Sequence, residues 1–304
     1  MQLGFVSAIL PEASLADVFE TGSEYGYDCV ELMCWPPGAA DRRYAGVTHF
    51  DASNINDTTI NELSSLCSTH NISVSGLGYY PNALSPDLDV ANIATHHILK
   101  VIEATAAIGA PTMNTFIGRD WTKSIDDNWQ VFIDTWGPII EHAEKHSVRI
   151  GIENCPMYFT SDEWPGGKNL GFSPAIWRRM FEAFPSSTFG LNYDPSHMIW
   201  QQMDYLAPLK EFAERIHHVH AKDIAIDTDK LNNVGIMATP LEYHTPKLPG
   251  LGTIDWSEFL TELDSTGYTG AVCVEIEDRD YEATTESRHL ALKLSAEHLR
   301  ACGI

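Results

Sequence analysis

The sequence predicts an α/β fold, a closed (β/α)8 barrel, and three observations predict it. Short apolar runs alternate with helical stretches eight times along the 304 residues. Connections from helix to strand are short, while several from strand to helix are long. Four of the apolar runs end on a carboxylate or an imidazole: Arg149–Ile152 on Glu153, Phe189–Tyr193 on Asp194, Ile216–Val219 on His220 and Ala271–Val274 on Glu275. Eight strand–helix units in about 300 residues is the arithmetic of such a barrel, and functional residues of a barrel sit where its strands end. A doubly wound open sheet is the alternative.

The units follow in order. Leu3–Val6 pairs with a helix over Leu15–Tyr25, capped by Ser14 and stopped by Gly26. Cys29–Met33 is followed by Thr59–His70, and Ser73–Leu77 by Val90–Ile108, which Gly109 and Pro111 terminate. Thr112–Phe116 precedes a helix over Asp126–His146, and the Glu153 strand precedes Ala175–Phe184, opened by Ser173-Pro174. The Asp194 strand leads to Pro208–Arg215, the His220 strand to Trp256–Ser265, opened by Asp255, and the Glu275 strand to Glu286–Cys302.

No low-complexity tract or linker divides the chain, so one domain over residues 1–304 is expected. Forty-two acidic against nineteen basic residues give a net charge of −23, which argues against nucleic-acid and anionic-membrane partners. No apolar run approaches the roughly 20 residues needed to span a bilayer. The amino terminus reads as a first strand and not as a signal peptide, and six scattered cysteines suit a reducing compartment, so a cytoplasmic location is expected.

The long connections, at 35–57, 79–89, 155–172 and 224–254, fall on the face where the strands end. They carry Trp35, Arg42, Arg43, Tyr44, His49, Tyr79, Tyr80, Tyr158, Trp164, Lys168, His244 and Lys247. Aromatic and basic groups over a barrel mouth suit a polyhydroxylated ligand, although lid packing uses the same residue types. Barrel closure brings Glu153, Asp194, His220 and Glu275 to one rim, and three carboxylates with one imidazole suit Mn²⁺, Mg²⁺ or Co²⁺, with Zn²⁺ also compatible. His197 lies just past the Asp194 strand and is read as a substrate contact. His218 shares strand parity with His220 and is placed one layer deeper, while His217 faces outward. Lys222 serves to neutralise a carboxylate or bind an enolate oxygen, with Asp223 orienting it; a solvated rim pair is the alternative. Arg119 serves as a phosphate or hydroxyl contact, or as a surface charge. Trp129 and Trp136 are expected in the core, with a homo-oligomer interface as their alternative use.

Ile-Glu-Asn at 152–154, Asp-Pro-Ser-His at 194–197, His-Val-His-Ala-Lys-Asp at 218–223, Gly-Leu-Gly-Thr-Ile-Asp-Trp at 250–256 and Val-Glu-Ile-Glu-Asp at 274–278 resemble the sugar phosphate isomerase/epimerase family. This is the xylose isomerase-like TIM barrel group that includes ketose 3-epimerases and inosose dehydratases. The resemblance is strongest over 149–278 and implies one divalent cation, Mn²⁺ foremost, held by Glu153, Asp194, His220 and Glu275. It implies that the two glutamates double as acid and base and that His197 touches substrate. Asn154, Glu277, Lys222, Trp35 and Arg119 complete the expected substrate contacts. The Ile224–Leu248 insertion is longer than in compact epimerases.

The expected function is a metal-dependent sugar isomerase or epimerase that abstracts a proton beside a carbonyl through a metal-bound enediolate. The first alternative is a lyase or dehydratase acting on a keto-sugar or keto-inositol with the same base. A phosphodiesterase related to DNA-repair endonucleases conflicts with the acidic charge. A non-catalytic sugar-binding barrel conflicts with the complete set of rim residues.

Overall fold

The computed structural model describes residues 1–37, 46–158 and 166–304. Arg42, Arg43, Tyr44 and Trp164 of the expected rim set lie outside the described residues. Eight parallel strands close the barrel: β1 Gln2–Val6, β2 Cys29–Met33, β3 Ser73–Gly78, β4 Thr112–Thr115, β5 Arg149–Glu153, β6 Phe189–Tyr193, β7 Ile216–Ala221 and, last in the chain, Ala271–Val274. Two further strands, β8 Asp223–Ile226 and β9 His244–Lys247, form a separate antiparallel pair, so the closing barrel strand is β10. The order around the barrel is β1-β10-β7-β6-β5-β4-β3-β2. Each barrel strand lies beside the next barrel strand in sequence, β7 beside β10 across the β8–β9 pair, because the intervening helices return the chain in right-handed crossovers.

The covering helices are α1 Leu15–Glu24, α2 Asp57–His70, α3 Leu88–Ile108, α4 Ile125–His146 and α5 Pro174–Ala183. Short helices α6 Ser196–Trp200 and α7 Ala207–Glu211 follow β6, α8 Thr228–Val234 lies between β8 and β9, and α9 Trp256–Ser265 and α10 Thr285–Ala301 close the layer. Their starts obey local chemistry. Ser14 and Asp17 form a reciprocal cap on α1, Asn56 and Thr59 on α2, and Thr284 and Ser287 on α10. Gly109 closes α3 in the left-handed conformation.

The structure refines three expectations. The long 224–254 connection carries a strand pair of its own, β8 with β9, which satisfies their backbone groups. The helix expected over Pro208–Arg215 is α7 followed by a 3-10 turn at Ala213–Arg215. β7 also runs past its expected end to Ala221, which puts His220 inside the strand, opposite Cys273 of β10.

The core between strands and helices holds Trp136, Trp177 and Trp256, all fully buried. A buried indole contributes a large apolar area, provided its N–H finds a partner. Trp136 donates to the Ile117 carbonyl, Trp177 to that of Gly171 and Trp256 to the Asp223 carboxylate. Trp136 is therefore a core residue, and Trp129 is half-buried with the Arg179 guanidinium 4.1 Å above its ring.

His217, on the outward face of β7, is buried and bonds the Ile150 carbonyl at 3.0 Å. Its ring occupies the space that a side chain at Gly190 would need, with 2.5 Å from ring carbon to a Cβ there. Burial lowers the imidazole from 6.5 to about 4. The unfolded chain therefore binds a proton that the folded chain refuses, and stability falls as pH drops from 6.5 towards about 4. His218, lowered to about 4 by burial, acts in the same direction. The unfolding free energy from urea titrations should fall over this window, by up to about 1.4 kcal/mol per pH unit for each group. His217→Gln should flatten the slope, and an unchanged slope would show that His217 does not carry its share.

Candidate active site

β5, β6, β7 and β10 deliver their terminal side chains to one rim. Glu153 ends β5, Asp194 follows β6, His220 lies near the end of β7, and Glu275 follows β10. Glu153, Asp194 and His220 are buried, while Glu275 keeps about a fifth of its side chain exposed. His220 Nδ1 lies 3.5 Å from Glu275 Oε2 and 3.8 Å from Glu153 Oε1. One ligand atom each of Glu153, His220 and Glu275 falls within 4.8 Å of the others.

The two imidazoles at this point carry their protons differently. His220 Nε2 is 2.8 Å from a Glu31 carboxylate oxygen, so that nitrogen holds the hydrogen and Nδ1 faces the rim without a partner. In His197, Nδ1 accepts from the Trp200 indole at 3.4 Å, which leaves Nε2–H aimed at Glu153 Oε1 and Asp194 Oδ2, 3.4 and 3.3 Å away. The lone pair of His220 is thus offered to a cation, and the proton of His197 is offered to an acceptor.

Lys222 stands among the carboxylates. Its buried ammonium is 2.6 Å from Glu275, 3.0 Å from Asp194 and 3.1 Å from Glu277. Glu153, Asp194, Glu275 and the more exposed Glu277 outnumber the one ammonium, and a divalent cation would offset part of that excess negative charge. Buried charge is tolerated only when it is compensated in this way. Among the described residues His220 Nδ1 has no hydrogen-bond partner, and Asp194 Oδ2 has no donor in hydrogen-bonding geometry beyond its ion pair with Lys222, so both atoms can take part in holding an ion. The donor set therefore fits a divalent cation.

Titration follows from the same contacts. Burial works to raise Glu275, but Lys222 beside it prevails and holds the carboxyl at about 2. Burial likewise opposes ionisation of Glu153, yet His197 and His220 hold it well below the usual carboxylate range. Burial disfavours a charged His220, but without a cation Glu31 and Glu275 outweigh it and raise the imidazole well above its usual range, so a cation at Nδ1 would take the place of a proton.

Several expected substrate contacts have other duties. The Asn154 amide donates to the Asp194 carbonyl and accepts from the Asp194 N–H, so it ties β5 to β6 and positions Asp194 instead of meeting substrate. Arg119 donates to the Gly166 and Lys123 carbonyls, which commits its guanidinium to the loops around the mouth. Asp223 does not orient Lys222. Its two oxygens accept from the N–H groups of Ile224, Gly250 and Ile254 and from the Trp256 indole, so the 250–256 motif is a loop folded around one buried carboxylate. Trp35 packs edge-on to Tyr79, and its buried indole N–H has no partner among the described residues. Glu277 reaches the mouth as the partly exposed partner of Lys222. His218 bonds Asn192 and Ser75 one layer below His220.

Sequence reasoning missed Glu31, Asn192 and Asn169. Glu31 is fully buried in the middle of β2, where it accepts from Tyr80 and His220. The room for it comes from Gly78, where a Cβ would stand 2.5 Å from its carboxylate. A lone carboxylate between Val30 and Leu32 was the available signal. Asn169 donates to the carbonyls of Glu153 and Cys155 and accepts from the Ile117 N–H, which locks the backbone under Glu153. Nothing in its sequence neighbourhood marks it.

The sequence profile of the xylose isomerase-like TIM barrel family matches residues 19–302. The uncharacterised protein YfiH of Bacillus subtilis is 27% identical over 200 residues, 62% of this chain and 56% of that protein. The inosose dehydratase of Geobacillus thermodenitrificans is 29% identical over 140 residues, 45% of this chain and 46% of that enzyme. The chain thus spans about half the length of these relatives. Among solved structures, the probable 3-DHS dehydratase AsbF from Bacillus anthracis superposes with a TM-score of 0.71 at 14% identity, covering 99% of both chains. D-psicose 3-epimerase from Clostridium cellulolyticum H10 gives 0.68 at 16%, again over 99% of both. The IolI protein, solved with a zinc atom, gives 0.69 at 17% over 99% of this chain and 96% of that one. At these identities the structures show the same fold.

Glu31 holds the hydrogen-bearing side of His220, and such partners typically contribute 10–100-fold to metal affinity. Glu31→Gln should weaken Mn²⁺ binding by about that factor in equilibrium dialysis. Unchanged affinity would mean that Glu31 does not orient a metal ligand.

Proposed function

The chain belongs to the xylose isomerase-like TIM barrel family, and from that premise we propose a divalent-metal-dependent isomerase or epimerase of a small polyhydroxylated carbonyl compound. The observation that carries the reading is the pair Glu153 and Glu275. They stand on strands three positions apart around the barrel, yet both reach the same His220 nitrogen. Two carboxylates on different sides of one point are what proton removal from one face of a carbon and return to another require. Glu153, Asp194, His220 and Glu275 would hold the cation, with manganese the best match to three carboxylates and one imidazole and Mg²⁺, Co²⁺ or Zn²⁺ compatible. When bound, it supplies Lewis acidity that draws charge from a substrate carbonyl and acidifies the adjacent C–H.

The protein's own groups divide the remaining work. Glu153 is ionised at neutral pH and takes the proton. Glu275, ionised at rest, takes up a proton from solvent through its exposed edge and delivers it to the carbon, and the Lys222 ammonium beside it stabilises negative charge that develops on an enediolate oxygen. His197 Nε2–H, held by the Trp200 contact, orients a hydroxyl at the mouth. The net charge of −23 weighs against a phosphodiester substrate.

A second reading, loss of water from the same enediolate, draws support from the inosose dehydratase among the relatives. The two differ only in whether the intermediate carries a leaving hydroxyl on the next carbon.

With Mn²⁺ and a panel of ketoses, aldoses and keto-inositols in D2O, proton NMR should show deuterium entering at one carbon of the substrate. An interconverted sugar identifies the isomerase or epimerase, and a dehydrated product the lyase. Glu153→Gln and Glu275→Gln should each slow the exchange by at least about 100-fold while metal binding largely survives. Exchange at the wild-type rate in either variant would remove that glutamate from the chemistry.

A further inference from the structure

On the outside of the barrel, α3 and α4 bring together Glu103, His142 and His146, with one ligand atom of each within 4.8 Å of the others. His142 and His146 are four residues apart on α4 and therefore share one face of the helix. Their rings lie 4.5 Å apart between centroids and are tilted by 48°. Glu103 of α3 places Oε1 3.2 Å from His142 Nε2. That nitrogen is out of contact with solvent, yet it lacks a partner in hydrogen-bonding geometry. The cluster has no part in the barrel mouth. It sits on the last two turns of α4, just before β5 begins at Arg149, whereas Glu153 ends that strand at the opposite rim.

We propose that Glu103, His142 and His146 form a second divalent-cation site, for zinc or a similar borderline transition metal, that clamps α3 to α4. Two imidazoles and one carboxylate are the ligand types such ions prefer over magnesium or calcium, which favour oxygen-only sets. The helical spacing presents both rings to one ion, as in other sites with histidines four apart on a helix. Three protein ligands leave one tetrahedral position for water. Glu103 and His142 keep about half and a quarter of their side-chain surface exposed, so an ion can enter from solvent. The site differs in chemistry from the mouth, where three carboxylates and one imidazole converge.

The test compares the untagged full chain with His142→Asn/His146→Asn and with Glu103→Gln after dialysis against Zn²⁺, counting bound zinc by atomic emission. The double variant should hold one zinc fewer per chain than wild type, and Glu103→Gln should release that zinc at a lower chelator concentration. Zinc should also raise the thermal midpoint of wild type more than that of the double variant, while the two melt alike in EDTA. Equal zinc content and equal zinc-induced shifts in wild type and double variant would overturn the proposal. Failure of the mouth to bind zinc would lower both counts alike and leave their difference intact.

Discussion

The structure depends on compensating a cluster of buried carboxylates at one rim of the barrel. Glu31, Glu153 and Asp194 are shielded from water and Glu275 nearly so, and each would be costly alone. Lys222 bridges Asp194, Glu275 and Glu277, and His220 stands between Glu31 on one ring nitrogen and Glu153 and Glu275 on the other. The remaining negative charge is what a bound divalent cation would offset. Even the glycine at 78 answers to this constraint, since a side chain there would meet the Glu31 carboxylate.

Around that cluster, neutral amides fix positions without adding charge. Asn154 joins β5 to β6 through both backbone groups of Asp194, and Asn169 holds the carbonyl of Glu153. Asp223 gathers four donors and thereby seats the 250–256 loop against β8. The insertion between β8 and β9 has its own purpose in this scheme. His244 of β9 lies edge-on to Trp200, and Trp200 in turn holds His197. The β8–β9 segment therefore supports a residue at the mouth.

The structures that share this fold include an epimerase and a probable dehydratase at similar TM-scores, so the barrel itself does not choose between their reactions. What distinguishes one outcome from another is which carbon is presented to the base and whether a leaving hydroxyl lies beside it. Those choices belong to the long loops of the mouth, where Trp35 offers an indole N–H that has no partner among the described residues and Lys222 an ammonium within reach of Glu275.

The sequence by itself determined the eight alternating units and the four rim residues Glu153, Asp194, His220 and Glu275. It could do so because a buried parallel strand is a continuous apolar run, and a polar residue at its end has only the rim to occupy. The cap at Ser14 and the stop at Gly109 were equally local, since each answers to backbone groups within a few residues. Glu31 escaped because it sits in mid-strand, where a carboxylate is tolerable only through Tyr80, just past β3, and His220 of β7, both distant in sequence. Arg119 and Asn154 looked like substrate contacts because their residue types suit hydroxyls, while the carbonyls and amides that claim them lie up to 47 residues away. Only the tertiary structure decided which nitrogen of His197 and of His220 carries the proton, because that follows from Trp200 and Glu31 facing the two rings, and a hydrogen bond between distant segments leaves no local trace in the chain.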